Sequence, residues 1–206
     1  MCLTQEGIGI EPSLQAQRLC AAGAHWVQLR MKGASPARWL AEARAAVAVC
    51  RRHGAVLIVN DSVEVAAESG ADGVHLGSLD CDWREARRLL GPGRIIGGTV
   101  NHAADAERAA RCGCLDYAGV GPLRFTATKT HLATVLGIAG VRALIRSLGE
   151  IPAWVIGGVE AADMADLLAA GAAGAAVSSA LYRGGQIERN VRAFLEAWPQ
   201  PARATP

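Results

Sequence analysis

Aromatic residues are scarce in this chain, with two phenylalanines, two tyrosines and five tryptophans among 206 residues. A core here must come from small and branched aliphatic side chains, which suits closely packed helices on a buried sheet. An excess of charge of one sign is also missing. The formal net charge of +2 excludes a general attraction to nucleic acid or to a membrane surface. No apolar run approaches the roughly 18 residues of a membrane span. The first residues, Met1 to Glu6, lack the basic-then-apolar layout of a secretory leader, and the expectation is a cytoplasmic protein. The cysteines at Cys2, Cys20, Cys50, Cys81, Cys112 and Cys114 form no C-x-x-C pair and no metal-ligand spacing. They are expected to be free thiols acting as small apolar residues in a reducing compartment.

What is present is an alternation of short apolar runs with longer amphipathic ones. The apolar runs are Trp26–Leu29, Val56–Val59, Gly73–Leu76, Arg94–Gly97, Tyr117–Val120, Ala153–Ile156 and Ala175–Ser178, with a short candidate at Cys2–Thr4. They are rich in β-branched residues and do not alternate with polar ones, the pattern of parallel strands covered on both faces. Between them lie helix candidates that stop at glycine. One opens at Ser35-Pro36 with serine as cap and proline in the first turn, and ends near Gly54. A weak internal repeat recurs at Gly23, Gly70 and Gly171, with a looser copy at Gly113, each a helix stop that leads straight into a strand. Eight strands followed by eight helices predict a single (β/α)8 TIM barrel over residues 1–198, with a disordered proline-rich tail at 199–206. The rival is an open doubly wound sheet, but no glycine-rich dinucleotide fingerprint follows the first strand.

In such a barrel the chemistry collects at the C-terminal ends of the strands. Gln28, Arg30 and Lys32 follow one another at alternate positions at the end of the second strand, Asn60 and Asp61 end the third, and Asp80 follows the fourth. Thr99 follows the fifth strand, Gly157-Gly158 the seventh and Ser178-Ser179 the eighth. The loop after the sixth, Gly121-Pro122-Leu123-Arg124-Phe125-Thr126-Ala127-Thr128-Lys129, carries cationic heads and hydroxyl donors suited to gripping an anion. Each of these residues also has an ordinary structural role open to it. Asp61 with Glu64 three residues later reads equally as a helix capping box, and Asp80 as the cap of the next helix. Arg30 and Lys32 can belong to a solvated loop, Gly157-Gly158 to a turn, and His75 to a satisfied core. Taken together, two carboxylates at consecutive strand ends inside a basic surround describe a diphosphate on magnesium. Gly157-Gly158 and Ser178-Ser179 describe the usual barrel phosphate site built from backbone N–H groups.

At this point the chain resembles the thiamine-phosphate synthase (thiamine-phosphate pyrophosphorylase) family from about Leu3 to Tyr182. The resemblance rests on Val27-Gln28-Leu29-Arg30-Met31-Lys32, Asn60-Asp61, Gly70 to Gly77 with Asp80, Gly119-Val120-Gly121-Pro122 with Thr126-Ala127-Thr128-Lys129, and Ile156-Gly157-Gly158. It implies a transferase that joins 4-amino-5-hydroxymethyl-2-methylpyrimidine diphosphate to 4-methyl-5-(2-hydroxyethyl)thiazole phosphate. By likeness, Gln28, Arg30, Lys32, Asn60 and Lys129 hold the pyrimidine diphosphate, Thr99 contacts its diphosphate, and Asp61 and Asp80 bind Mg2+. Thr126, Thr128, Gly158, Ser178 and Ser179 hold the thiazole phosphate. Arg30, Lys32 and Lys129 are the expected catalytic cations. The partners implied are these two small molecules, with no nucleic acid or membrane and with a homo-oligomer possible. The rivals are a thiazole tautomerase-like enzyme and a non-catalytic binder of thiazole phosphate. The chain departs from many relatives at Gly97-Gly98-Thr99-Val100-Asn101, at Ser62 and at Ser78.

Overall fold

A computed structural model of the chain describes residues 1–125 and 134–198. The expected tail at 199–206, and Thr126, Thr128 and Lys129, lie outside the described residues. Eight parallel strands follow the chain order, β1 (Cys2–Leu3), β2 (Trp26–Leu29), β3 (Val56–Asn60), β4 (Gly73–Leu76), β5 (Ile95–Val100), β6 (Tyr117–Val120), β7 (Ala153–Ile156) and β8 (Gly174–Ala176). Helices α1 (Pro12–Ala21), α2 (Pro36–His53), α3 (Val63–Ser69), α4 (Trp83–Leu90), α5 (Ala103–Cys112), α6 (Gly137–Leu148) and α7 (Met164–Ala169) follow the first seven strands. A short α8 (Ser179–Tyr182) and then α9 (Ile187–Ala197) follow β8.

The two-residue β1 is enough to close the barrel. It pairs with β2 on one side, and on the other the Leu3 N–H donates to the Val177 carbonyl at 2.8 Å and the Val177 N–H to the Met1 carbonyl at 3.0 Å. The sheet therefore has no unpaired edge, the device by which barrels avoid edge pairing.

Side chains alternate across each strand. Val27, Leu29, Leu57, Val59, Val74, Leu76, Val120 and Val155 join one apolar cluster with helix residues such as Leu19, Ala46, Leu144 and Leu167. The opposite positions fill the barrel interior. Trp26 on β2 meets Tyr117 on β6 with ring centroids 5.9 Å apart and Trp154 on β7 at 5.2 Å. β2 pairs only with β1 and β3, so these contacts must cross the lumen. Glycine makes the room. A Cβ on Gly97 would fall 2.1 Å from the Tyr117 ring, and one on Gly174 would fall 2.7 Å from Trp154. Few aromatics thus suffice, because three of them stack in one place against glycines.

Three element boundaries and one cysteine pairing differ from expectation. β5 runs on through Gly97, Gly98 and Thr99 to Val100, because those glycines are spacers against Tyr117 and Trp83 rather than a turn. α3 begins at Val63 with Ser62 as its cap, so the capping box open to Asp61 does not form. α9 is preceded by the extra turn α8. Cys112 and Cys114 are not free thiols but a disulfide pair, while Cys2, Cys20, Cys50 and Cys81 are free. Gly113 between the paired cysteines has φ of 63° and folds the chain back at the end of α5, leaving their Cα atoms 5.3 Å apart. The cap at Ser35 is as expected, its hydroxyl accepting the Arg38 N–H, and Gly54 closes α2 with φ of 64°. Among the described residues no helix is long and apolar enough to cross a membrane.

Candidate active site

The strand ends of β2, β3 and β4 bring Lys32, Asp61 and Asp80 together. Lys32 Nζ lies 2.6 Å from Asp61 Oδ2. Asp61 is the one non-glycine residue among those described with positive φ, at 69°. Its N–H is held by the His75 carbonyl at 2.8 Å. The capping role belongs to its neighbour: Ser62 Oγ accepts the Val65 N–H at 3.1 Å. The next helix repeats the pattern. Asp82 caps α4 by accepting from the Arg84 and Glu85 N–H groups, while Asp80 Oδ2 accepts the Gly77 N–H at 2.6 Å. Neither carboxylate that the sequence could have spent on a helix cap is therefore used as one. A left-handed aspartate that is not a cap is the kind of backbone outlier that collects at functional sites.

The carboxyl of Asp80 is pushed up from its ordinary range, first by burial and then by the neighbouring negative charge of Asp61, against the Gly77 hydrogen bond and the Lys32 charge that lower it. Two hard carboxylates that bear on each other this way form a donor set that suits a divalent cation. Among the described residues no cluster of three or more metal-ligating side chains is present.

Thr99, half-way round the mouth on β5, joins a chain of polar groups into the lumen. Its Oγ1 is 3.0 Å from His75 Nε2, and His75 Nδ1 is 3.0 Å from the Tyr117 hydroxyl. Burial pushes the Tyr117 phenol up, opposed by a hydrogen bond with the Gln28 side chain. His75 is thus a satisfied lumen histidine, as its place in an apolar strand predicts. Gly77 keeps this region open, since a Cβ there would stand 3.1 Å from Asp80 Oδ2 and 4.0 Å from Thr99 Oγ1. Gln28 and Asn60 are both buried on the lumen side. Arg30 is largely buried, and its Nη1 lies 3.7 Å from Glu6 Oε2.

The second group lies at the ends of β7 and β8. Gly157 and Gly158 have φ of 93° and 66°. A Cβ on Gly158 would stand 2.9 Å from the Arg124 Cβ. These glycines let the loop after β6 lie directly on β7, where the Leu123 and Arg124 N–H groups donate to the Ile156 and Gly157 carbonyls, each at 2.9 Å. Ser178 Oγ is buried with no hydrogen-bond partner among the described residues, and Ser179 opens α8. A buried hydroxyl without a partner is uncommon in a native structure.

Arg124 does not belong to the anion grip that the loop sequence predicts. Its guanidinium is taken up by Asp163 in two bonds of 2.5 and 2.6 Å, with a third to the Gly158 carbonyl at 3.1 Å. That pairing raises the guanidinium and lowers the carboxyl. It ties the loop after β6 to the turn before α7. Two further supports escape the sequence patterns. Thr4 is buried and its Oγ1 accepts the Arg30 N–H at 2.9 Å. Glu6 accepts the Gly33 N–H at 3.1 Å. Thr4 stands at the end of β1, the same strand-end position that marks the candidate residues of the other strands.

A closed (β/α)8 barrel with two carboxylates at adjoining strand ends, and with Gly157, Gly158 and the buried Ser178 at the ends of β7 and β8, has the layout of the barrel enzymes that carry their sites at the strand C-termini. Residues 4–181 match the thiamine monophosphate synthase family. A thiamine-phosphate synthase from Bacteroides fragilis is 41% identical over 172 residues, covering 82% of this chain and 84% of that protein. One from Myxococcus xanthus is 44% identical over 186 residues, covering 90% and 84%. The solved thiamine phosphate pyrophosphorylase from Pyrococcus furiosus superposes with a TM-score of 0.86 at 28% identity, covering 95% of this chain and 93% of that one. The chain belongs to the thiamine monophosphate synthase family.

Proposed function

We propose that this protein joins 4-amino-5-hydroxymethyl-2-methylpyrimidine diphosphate to 4-methyl-5-(2-hydroxyethyl)thiazole phosphate, releasing thiamine phosphate and diphosphate. The observation that carries this reading is the meeting of Lys32, Asp61 and Asp80 at adjoining strand ends, with Asp61 in a left-handed conformation and relieved of capping. The names of the relatives point the same way.

Asp61 and Asp80 would hold Mg2+, and their paired hard oxygens fit it. When bound, that ion would supply charge neutralisation for the diphosphate. The bond that breaks joins the pyrimidine methylene carbon to the diphosphate oxygen. The electron pair leaves with the diphosphate, and the aminopyrimidine ring stabilises the cation left on carbon. The lone pair of the thiazole nitrogen then forms the new C–N bond, giving the thiazolium. No side-chain nucleophile is required. The protein's contribution is to stabilise charge growing on the leaving group, a task for preorganised cations. Arg30, Lys32 and Lys129 would take that part, Lys129 on the sequence alone. Gln28 and Asn60 line the lumen where the ring would enter, and Thr99 would donate to the diphosphate. Thr126, Thr128, Gly158, Ser178 and Ser179 would hold the thiazole phosphate, with the partnerless Ser178 hydroxyl in support.

The test is product formation from the two substrates with and without Mg2+. Thiamine phosphate and diphosphate in equal amounts, dependent on the metal, are expected. Tight binding of thiazole phosphate with no product in any condition would favour a non-catalytic binder instead.

A further inference from the structure

The Lys32–Asp61 contact puts an ammonium on one of the two carboxylates assigned to the metal. Asp61 Oδ2 accepts from an ammonium at 2.6 Å, so a cation that binds this carboxylate through that oxygen competes with Lys32 for its lone pairs and for its charge. Asp80 stands next to it, and two neighbouring carboxylates without a counter-charge repel. The ammonium is what lets them sit together. The two partners differ in freedom. The Lys32 side chain is 52% exposed and follows the end of β2, whereas the Asp61 side chain is 19% exposed and its backbone is tied to β4. The lysine is the partner that can leave.

We propose that Lys32 is an internal placeholder cation, which neutralises the Asp61–Asp80 pair until a divalent cation displaces it, and which then turns its ammonium to the diphosphate. This rests on the reading of Asp61 and Asp80 as metal ligands. An ion pair with one half-exposed partner is a weak one, so a divalent charge displaces it readily. The exchange uses one lysine twice, and it makes metal and diphosphate help each other. The metal frees the lysine that the diphosphate needs, and by linkage the diphosphate favours metal binding by the same factor.

Two measurements on the full chain test this. Hydrogen-bond scalar coupling between Lys32 Nζ and the Asp61 carboxyl carbon, read by NMR, should be present without metal and vanish when Mg2+ saturates the site. Calorimetric titration with Mn2+ alone should show Lys32→Met binding it about two- to five-fold more tightly than the unmodified protein, the factor by which an exposed ion pair competes. Asp61→Asn should abolish both the coupling and most of the Mn2+ affinity. A coupling that persists at saturating Mg2+, or one absent from the metal-free protein, overturns the placeholder role while leaving the metal site standing. Failure of both the unmodified protein and Lys32→Met to bind Mn2+, with folding intact by circular dichroism, overturns the metal reading and the placeholder with it.

Discussion

Ser62 accepts the Val65 N–H at 3.1 Å and so relieves Asp61, its neighbour, of capping α3. The two residues divide work that either could have done alone. Serine and aspartate are comparable caps, so placing serine second frees the carboxylate. The division gives a clean expectation. Asp61→Gly removes the carboxylate and keeps a residue that accepts φ of 69° without steric cost. Stability by urea denaturation should stay within about 1 kcal/mol, while activity at low Mg2+ collapses. Ser62→Ala should do the reverse, costing about 1 kcal/mol of stability and leaving the Mg2+ requirement in place.

The buried Ser178 hydroxyl separates structure from function even more sharply. An unsatisfied buried group is a cost to the free protein. Ser178→Ala should therefore leave thermal stability unchanged or slightly raised. If the hydroxyl meets the thiazole phosphate, KM for that substrate should rise about tenfold, equivalent to about 1.4 kcal/mol for a hydrogen bond to a charged group. KM for the pyrimidine diphosphate should not move. An equal rise in both would argue against two separate phosphate sites.

The Arg124–Asp163 pair should show its charge in the acid limb. The guanidinium, with the Glu160 N–H, holds the Asp163 carboxyl below its ordinary value. A carboxyl depressed on folding stabilises above its unfolded pKa of about 3.9, and that contribution is lost as pH falls through the lower folded value. A double-mutant cycle of Arg124→Met and Asp163→Asn should give a coupling of about 1–2 kcal/mol at pH 7, between the exposed and buried limits. The coupling should shrink steadily below about pH 4. Coupling that is flat with pH would mean that packing alone, not charge, ties the loop to α7.

Lys129 is assigned by sequence alone. If it meets the departing diphosphate, it acts more in the transition state than on bound substrate. Lys129→Ala should lower the single-turnover rate by ~10²–10³, the scale for one positioned electrostatic stabiliser. Lys129→Arg should recover only part of it, because a planar fork does not replace a point charge. An unchanged chemical step with weaker, salt-sensitive substrate capture would reduce the loop to a general attractant for anions.

The sequence by itself determined the barrel and its candidate residues. Apolar runs without alternation, such as Val56–Val59, short and rich in β-branched residues, read as strands covered on both faces. Glycine stops such as Gly54 and Gly70 set where seven of the helices hand over to strands. Polar residues that break those runs mark the strand ends, and so Lys32, Asp61, Thr99 and Ser178 were legible. Tertiary structure decided what each of them does. Asp61 as cap or as open carboxylate is a choice of one backbone angle and one neighbour's hydroxyl. Arg124 as anion grip or as brace depends on Asp163, 39 residues away. Tyr117, His75 and Thr99 form one chain only because three strands curl round a common lumen. Periodicity reports which face of an element is buried, since burial acts on every turn or alternate residue. It carries no information on which polar partner, distant in sequence, closes a given hydrogen bond, because that depends on where the folded chain brings two strand ends together.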